Sequence, residues 1–249
     1  MAYDVIVIGS GPGGYPAAIR ASQLGLKVAV IEKESLGGVC LNWGCIPTKA
    51  LIKSAQVYDY VKHSADYGIT TTGVNHDFGA VVKRSRGVAD KMSKGVQFLM
   101  KKNKIDVIMG YGKVHSKGKV EVKAADGTTQ VIDTKYIVLA TGGRSRELPN
   151  LKQDGKKVMG YREAMVMEQQ PKSMIIVGSG AIGVEFAYIR NVEEEEWLRK
   201  KIESNTNRTN FTIDQKKQIL KKLKVNKYYE HIPYIIYRIN GVPMKPLPT

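Results

Sequence analysis

Short apolar runs punctuate the first three quarters of the chain, and most of them end in glycine. Residues 4–8 stop at Gly9, residues 136–140 run into Thr141-Gly142-Gly143, and residues 174–177 stop at Gly178. A fourth run, residues 27–31, ends at the acidic Glu32. These runs are continuous rather than alternating, the pattern of strands buried on both faces. Between the first two, residues 15–24 have helical character, and Gly25 suits the turn that ends such a helix. Strand, helix and strand together predict a βαβ opening. Ala50, Leu51, Ala55, Val57, Tyr58 and Val61 have the spacing of an amphipathic helix over residues 48–61, and residues 78–102 read as a longer one. Short strands are predicted at 105–110, 119–123 and 129–132, with Asp126-Gly127 as the hairpin turn between the last two.

The text changes after residue 188. Of the 25 glycines only Gly241 lies beyond Gly183, and Lys and Tyr take their place. Residues 193–203 read as a charged helix with Trp197 and Ile202 as anchors, and residues 205–210 as a polar linker. In residues 216–224, Ile219, Leu220 and Leu223 share one helical face. Three segments are therefore expected: 1–150, 151–188 and a mostly helical, basic tail over 189–249.

Composition narrows the class without naming a chemistry. The 249 residues are 43% hydrophobic and 25% charged, a globular balance that excludes wholesale disorder and a disulfide-dense scaffold. The net charge of +16 favours solubility and loose attraction to polyanions, and does not define a fold. Met1-Ala2-Tyr3-Asp4 offers no cationic leader, and no apolar run reaches the length of a membrane span, so a cytoplasmic protein without a membrane partner is expected. His63, His76, His115 and His231 form no ligand or triad pattern, and a metal site is not expected.

Chemistry enters with Gly9-Ser10-Gly11-Pro12-Gly13-Gly14. A lone G-x-G-x-x-G says little. This one follows a strand, opens a helix and is answered by Glu32, the context of a dinucleotide fingerprint. Gly9 permits the tight turn, Gly11 lets backbone N–H groups approach a pyrophosphate, and Gly14 lets helix and strand pack closely. Glu32 can accept hydrogen bonds from ribose hydroxyls. The alternative is a structural turn with Glu32 a surface acid. Pro16 is an anomaly, because a proline inside the helix removes a backbone donor.

The only cysteines, Cys40 and Cys45, stand in Gly37-Gly38-Val39-Cys40-Leu41-Asn42-Trp43-Gly44-Cys45-Ile46-Pro47-Thr48-Lys49. Two thiols separated by a short turn and followed by a helix can close a disulfide, and a thiolate near a helix N-terminus is a better nucleophile. A pair of inert core cysteines is the competing reading.

The run from Gly37 to Lys49, placed just after Glu32, resembles the redox-active disulfide of the flavin-dependent pyridine nucleotide–disulfide oxidoreductases. Its wording is more similar to the dihydrolipoamide dehydrogenase branch than to the glutathione or mercuric reductases. The resemblance covers residues 1–188 and implies the fold class: an α/β, Rossmann-like FAD-binding domain with a small antiparallel β insertion, then the start of an incomplete second Rossmann unit for NAD. It further implies that Cys40 attacks the substrate disulfide and that Cys45 lies against the flavin as the charge-transfer thiolate, with Lys49 near the isoalloxazine. Gly9, Gly11, Gly14, Glu32, Lys33, Gly38 and Gly112 would hold FAD, with Thr141-Gly142-Gly143 as a second flavin-contact motif. The module Gly178-Ser179-Gly180-Ala181-Ile182-Gly183, after its own strand, resembles the family's NAD site, with Glu185 near the nicotinamide end.

On that resemblance electrons pass from dihydrolipoamide to the Cys40–Cys45 disulfide, then to FAD and to NAD. The expected partner is dihydrolipoamide or a lipoyl domain of 2-oxoacid dehydrogenase complexes, and the resemblance implies a homodimer for intact relatives, whose interface domain this chain lacks. Residues 189–249 resemble neither the family's second NAD strand, nor its later flavin-contacting segment, nor its interface domain with a catalytic His–Glu pair. A truncated chain with little turnover by itself is therefore expected. Residues 220–241 instead resemble the late transcription factor proteins of poxviruses and related large DNA viruses. Lysines interleaved with Tyr228, Tyr229 and Tyr234 suit nucleic acid through phosphate contacts and stacking, or equally a solvated helix face over core tyrosines.

Overall fold

The computed structural model describes residues 2–145, 147–149, 151–171, 173–178, 180–191 and 234–237. The chain divides into two compact units, Met1–Ala50 with Lys83–Arg144, and Leu51–Val82 with Ser145–Thr249.

In the first unit, β1 (Tyr3–Ile8), β2 (Val28–Glu32) and β3 (Asp106–Met109) lie side by side in parallel, and the parallel end of β6 (Thr129–Leu139) joins β1 on its other flank. The antiparallel strands β5 (Lys119–Lys123) and β4 (Tyr111–Ser116) complete a six-stranded sheet of order β3-β2-β1-β6-β5-β4. The apolar runs are continuous because both faces are covered. Val5, Val7, Val28 and Val30 pack with Ala18 of α1 (Gly14–Gln23), Leu41 of α2 (Gly38–Trp43), and Val96 and Met100 of α4 (Phe78–Lys102). Ile6, Ile8, Ala29 and Ile31 pack on the opposite side with Val120, Val122 and Ile132 of the antiparallel strands.

The expected α/β, Rossmann-like architecture with an antiparallel insertion is present, and four details differ from the sequence reading. First, α1 begins at Gly14, so Pro16 falls in the first turn, where the missing N–H would have had no helical acceptor. The anomaly disappears. Second, the strands read at 129–132 and 136–140 are one strand, β6, because nothing between Ile132 and Tyr136 turns the chain. The buried Thr134 sits where β6 leaves its antiparallel neighbour and meets β1. Third, α2 and β4 carry too few periodic apolar positions to have been predicted. Fourth, residues 192–233 and 238–249, with the helices read in them and most of the viral resemblance, lie outside the described residues, and what is described of the tail is the end of the helix Ala181–Asn191 and a strand, β9 (Tyr234–Tyr237).

The second unit holds α3's outer turns (α3, Cys45–Lys62), α5 (Tyr161–Met165), α6 (Ala181–Asn191) and a three-stranded sheet of order β7 (Val158–Met159), β9, β8 (Met174–Val177). Its core gathers Leu51, Ala164, Met165 and Phe186. Both neighbours of β9 run antiparallel to it. Among the described residues β8 has no parallel partner.

Candidate functional site

The glycine loop lies at the carboxyl ends of β1, β2 and β6, where open parallel sheets take their ligands. Gly9 N–H donates to Ile31 O at 2.8 Å, and Ala140 N–H donates to Ile8 O at 2.9 Å, which binds the three strand ends together. Gly9 has φ +99°, a conformation that favours glycine. At Gly14 a Cβ would land on the carbonyl oxygen of Gly9, so only glycine lets α1 start this close to β1. On the other side of the loop nothing blocks a side chain: a Cβ at Gly13 meets no atom within 4 Å, and one at Gly11 meets only Gly38 Cα at 4.0 Å. Among the described residues no hydrogen bond engages the N–H groups of Gly11 and Gly13. Open space faced by free donors at a helix start is the cradle a pyrophosphate fills.

Glu32 is buried, which removes the alternative of a surface acid. Its Oε2 accepts from the Ser10 N–H at 3.0 Å and from the Ser10 hydroxyl at 2.6 Å, and its Oε1 accepts from the Glu34 N–H at 2.9 Å. The carboxylate thus braces the glycine loop and keeps lone pairs on Oε1 for further donors. Lys33 follows it on the exposed side. Gly112 stands where β4 crosses the ends of β1 and β2, and a Cβ there would sit 3.0 Å from the Cγ2 atoms of both Ile8 and Ile31. Thr141, Gly142 and Gly143 leave β6 exposed, with open space around both glycines.

The cysteine segment abuts this loop. Gly37 N–H donates to Ser10 O at 3.1 Å, and a Cβ on Gly38 would come within 2.7 Å of Gly11 Cα. Two residues later Cys40 packs, half-buried, against the core under α1. Gly44 separates α2 from α3, and a Cβ on it would lie 3.0 Å from Val39 O and 3.1 Å from Cys40 Cα. Glycine is what allows the chain to fold back here, and it returns Cys45, the first residue of α3, to Cys40. The two are thiols that share a hydrogen bond. Burial pushes the Cys40 thiol up to about 11, helped by its hydrogen bond to Cys45, while Lys49 and the Cys45 backbone act against it. Lys49, one turn into α3, is exposed and close enough to act on the Cys40 charge. Pro47 again falls in the first turn of a helix, and Thr48 Oγ1 donates to Gly44 O at 2.7 Å.

Side chains that no motif pointed to hold this turn. Asn42 Nδ2 donates to Leu36 O at 3.0 Å and to Gly38 O at 2.9 Å. From α4, Ser93 Oγ donates to Leu36 O at 2.9 Å and Arg86 Nη2 donates to Asn42 O at 2.7 Å. Neither Ser93 nor Arg86 has a sequence signal, since each meets the turn only after a long excursion of the chain. The sequence-predicted residues of the first unit therefore converge on one sheet end.

In the second unit the glycine geometry recurs. Gly178 has φ +119°, Gly183 is buried, and a Cβ on Gly183 would land on the Gly178 carbonyl oxygen, as Gly14 would on Gly9. Gly180 O accepts from the Val184 N–H at 3.0 Å at the start of α6, and Glu185 follows, half-buried.

The family model described as pyridine nucleotide-disulphide oxidoreductase matches residues 3–197. The chain belongs to this family. Among its relatives it is 51% identical to a dihydrolipoyl dehydrogenase of Rhizobium etli, covering 74% of this chain and 42% of that protein. It is 48% identical to a dihydrolipoyl dehydrogenase of Bacillus subtilis, covering 74% and 41%, and 43% identical to a leghemoglobin reductase of Vigna unguiculata, covering 75% and 36%. The crystal structure of LpdA from Mycobacterium tuberculosis matches with a TM-score of 0.70 at 27% identity, over 76% of this chain and 42% of that one. The chain thus spans about two fifths of the length of the oxidoreductase relatives it matches.

Proposed function

We propose that the chain carries the disulfide and flavin half of a dihydrolipoyl dehydrogenase, with the beginning of the nicotinamide half. The observation that carries this reading is the contact of Gly38 with Gly11, which sets the dithiol turn against the phosphate-binding loop. In the exchange step a dithiol substrate of the dihydrolipoamide type attacks the Cys40–Cys45 disulfide. The substrate's S–S bond forms as the protein's breaks, and two electrons and two protons move to Cys40 and Cys45. FAD supplies the acceptor for that electron pair and NAD⁺ the final one, as in the family.

The chain's own residues account for binding and orientation. Gly9, Gly11 and Gly14 shape the pyrophosphate cradle, Glu32 offers Oε1 to the ribose, and Thr141-Gly142-Gly143 border the open side with Gly112 and Lys33. Lys49 places a cation beside the sulfurs. Gly178, Gly180, Gly183 and Glu185 would hold the nicotinamide nucleotide. On this reading residues 1–150 form the FAD-binding domain, 151–188 the beginning of the NAD-binding one, and 189–249 an unrelated tail. The same reading includes service to a lipoyl-bearing 2-oxoacid dehydrogenase complex in the cytoplasm, with pairing of two copies as a property of the intact enzyme. Among the described residues no helix is long and apolar enough to cross a membrane.

The test is spectroscopic. Purified chain mixed with FAD and freed of excess should be yellow and gain a long-wavelength absorbance on two-electron reduction. Cys45→Ser should keep the yellow colour and lose that band. A band that survives in Cys45→Ser would refute the thiolate assignment, and failure to retain FAD would refute the flavin site.

A further inference from the structure

Between the two cysteines the chain runs through Leu41-Asn42-Trp43-Gly44, and this stretch is held from outside by one residue of α4. The guanidinium of Arg86 lies over the Trp43 ring, with Cζ 4.2 Å from its centre, and Nη2 donates to Asn42 O at 2.7 Å. Asn42 O belongs to the last turn of α2, where backbone carbonyls have no helical donor and a cation complements the helix dipole. Trp43 is itself tied down, its Nε1–H donating to Glu34 Oε1 at 3.1 Å. One turn pair further along α4, Ser93 secures Leu36 O at the other end of the segment. α4 therefore grips the redox turn on both sides of Cys40.

The arrangement is costly. Arg86 Nη1 is buried and, among the described residues, has no hydrogen-bond partner. Burial also pulls the Arg86 pKa down from its ordinary value. A surface arginine placed only for solubility would not accept that desolvation. What Arg86 secures is the fold-back at Gly44, and that fold-back fixes the separation of the sulfurs. Two thiols held close to each other close a disulfide far more readily than two on a loose loop, because the approach entropy has already been spent.

We infer that Arg86 is a positioning residue for the dithiol: by clamping Trp43 and the Asn42 carbonyl it sets how readily Cys40 and Cys45 close their disulfide. The inference rests on the reading of these two cysteines as a redox pair. The oxidant in its test is the disulfide of oxidised dithiothreitol. Its S–S bond breaks as the Cys40–Cys45 bond forms, and it takes up the two electrons and two protons that the cysteines lose.

The experiment equilibrates the full chain with mixtures of oxidised and reduced dithiothreitol, traps free thiols by alkylation and counts them by mass. Arg86→Met should lower the equilibrium constant for disulfide closure about tenfold, which is about 30 mV for this two-electron couple. Trp43→Ala should move it in the same direction, and Arg86→Lys, which keeps the charge without the planar fork, should recover only part of the loss. Tyr3→Phe, which removes a 2.8 Å hydrogen bond to Asp106 at the far end of the sheet, serves as the control for general destabilisation and should leave the constant unchanged. A folded Arg86→Met with the wild-type constant overturns the inference. If that variant does not fold, Arg86→Lys and Trp43→Ala decide by the same criterion. A wild-type chain that never loses its two thiols overturns the redox reading itself, whereas a wild-type disulfide indifferent to Arg86 sinks only the role assigned here.

Discussion

Cys40 and Cys45 carry the same functional group five positions apart, and their surroundings make them unequal. Cys45 is exposed at the start of α3, whereas Cys40 is half-buried and its thiol is pushed up to about 11, first by burial and then by Cys45. Only the thiolate alkylates, so at pH 8 Cys40 should react roughly a hundredfold more slowly than a thiol at the ordinary value of 9.0. Peptide mapping after a short iodoacetamide pulse on the reduced chain should find the label on Cys45, with Cys40 labelled only as the pH approaches its own titration. The linked effect on folding has a definite sign. A thiol whose pKa is raised by folding contributes stability that is fully present below about pH 9 and is lost as pH rises towards about 11, because the unfolded chain releases that proton first. Equal labelling of both cysteines at pH 8 would remove this asymmetry, which makes Cys45 the more accessible thiol of the reduced, ligand-free chain and does not by itself single out Cys40 as the attacking one.

At the scale of elements, α4 shows why some of this was legible in the amino-acid text and some was not. Its limits, Phe78–Lys102, agree with the periodicity because Ala89, Ser93, Val96 and Met100 repeat on one face of a long helix. That face can be tested directly. Met100 is 1% exposed and packs beneath the sheet, while Phe98 is 64% exposed. Met100→Ala should cost about 2–5 kcal/mol of unfolding free energy and Phe98→Ala close to nothing, measured by urea denaturation. Similar losses in both would mean that α4 packs on another face. The strands β1 and β2 were legible for a related reason, since burial on both faces writes a continuous apolar run. The glycine loop and the cysteine turn were legible because their chemistry needs particular residue types at fixed spacing. Arg86, Ser93 and the Asn42 carbonyl were not, because their meeting depends on how α4 lies across α2, which no local pattern encodes. The junction within β6 was misread for the opposite reason: a single strand changes partners there without changing direction, so the text shows two apolar segments where the backbone has one.

Across the whole molecule the same backbone device occurs twice, once in each compact unit, and this gives the reading its sharpest test. Gly14 and Gly183 each begin a helix so close to the carbonyl of an earlier glycine that a methyl group cannot be placed, and Gly9 and Gly178 each hold a positive φ. Gly14→Ala must push α1 off the end of β1, and the strain of fitting the extra methyl should cost about 1–3 kcal/mol. The displaced N–H groups are those that face the open cradle beside Gly38, so the variant should lose FAD during gel filtration while nicotinamide nucleotide still quenches its fluorescence. Gly183→Ala should do the reverse, keeping the flavin and weakening the nicotinamide nucleotide at least tenfold. The two outcomes differ because the glycine pairs belong to separate units with separate cores, one built around β1 and β2 and the other around Met165 and Phe186. If either alanine abolished both ligands together, the modules would not act as independent cradles. If Gly183→Ala changed neither, the second module would be a strand and helix without a ligand. Among the described residues the neighbour of β8 is the antiparallel β9, so this arm asks whether the glycine turn and helix start of the second unit hold a dinucleotide as those of the first do.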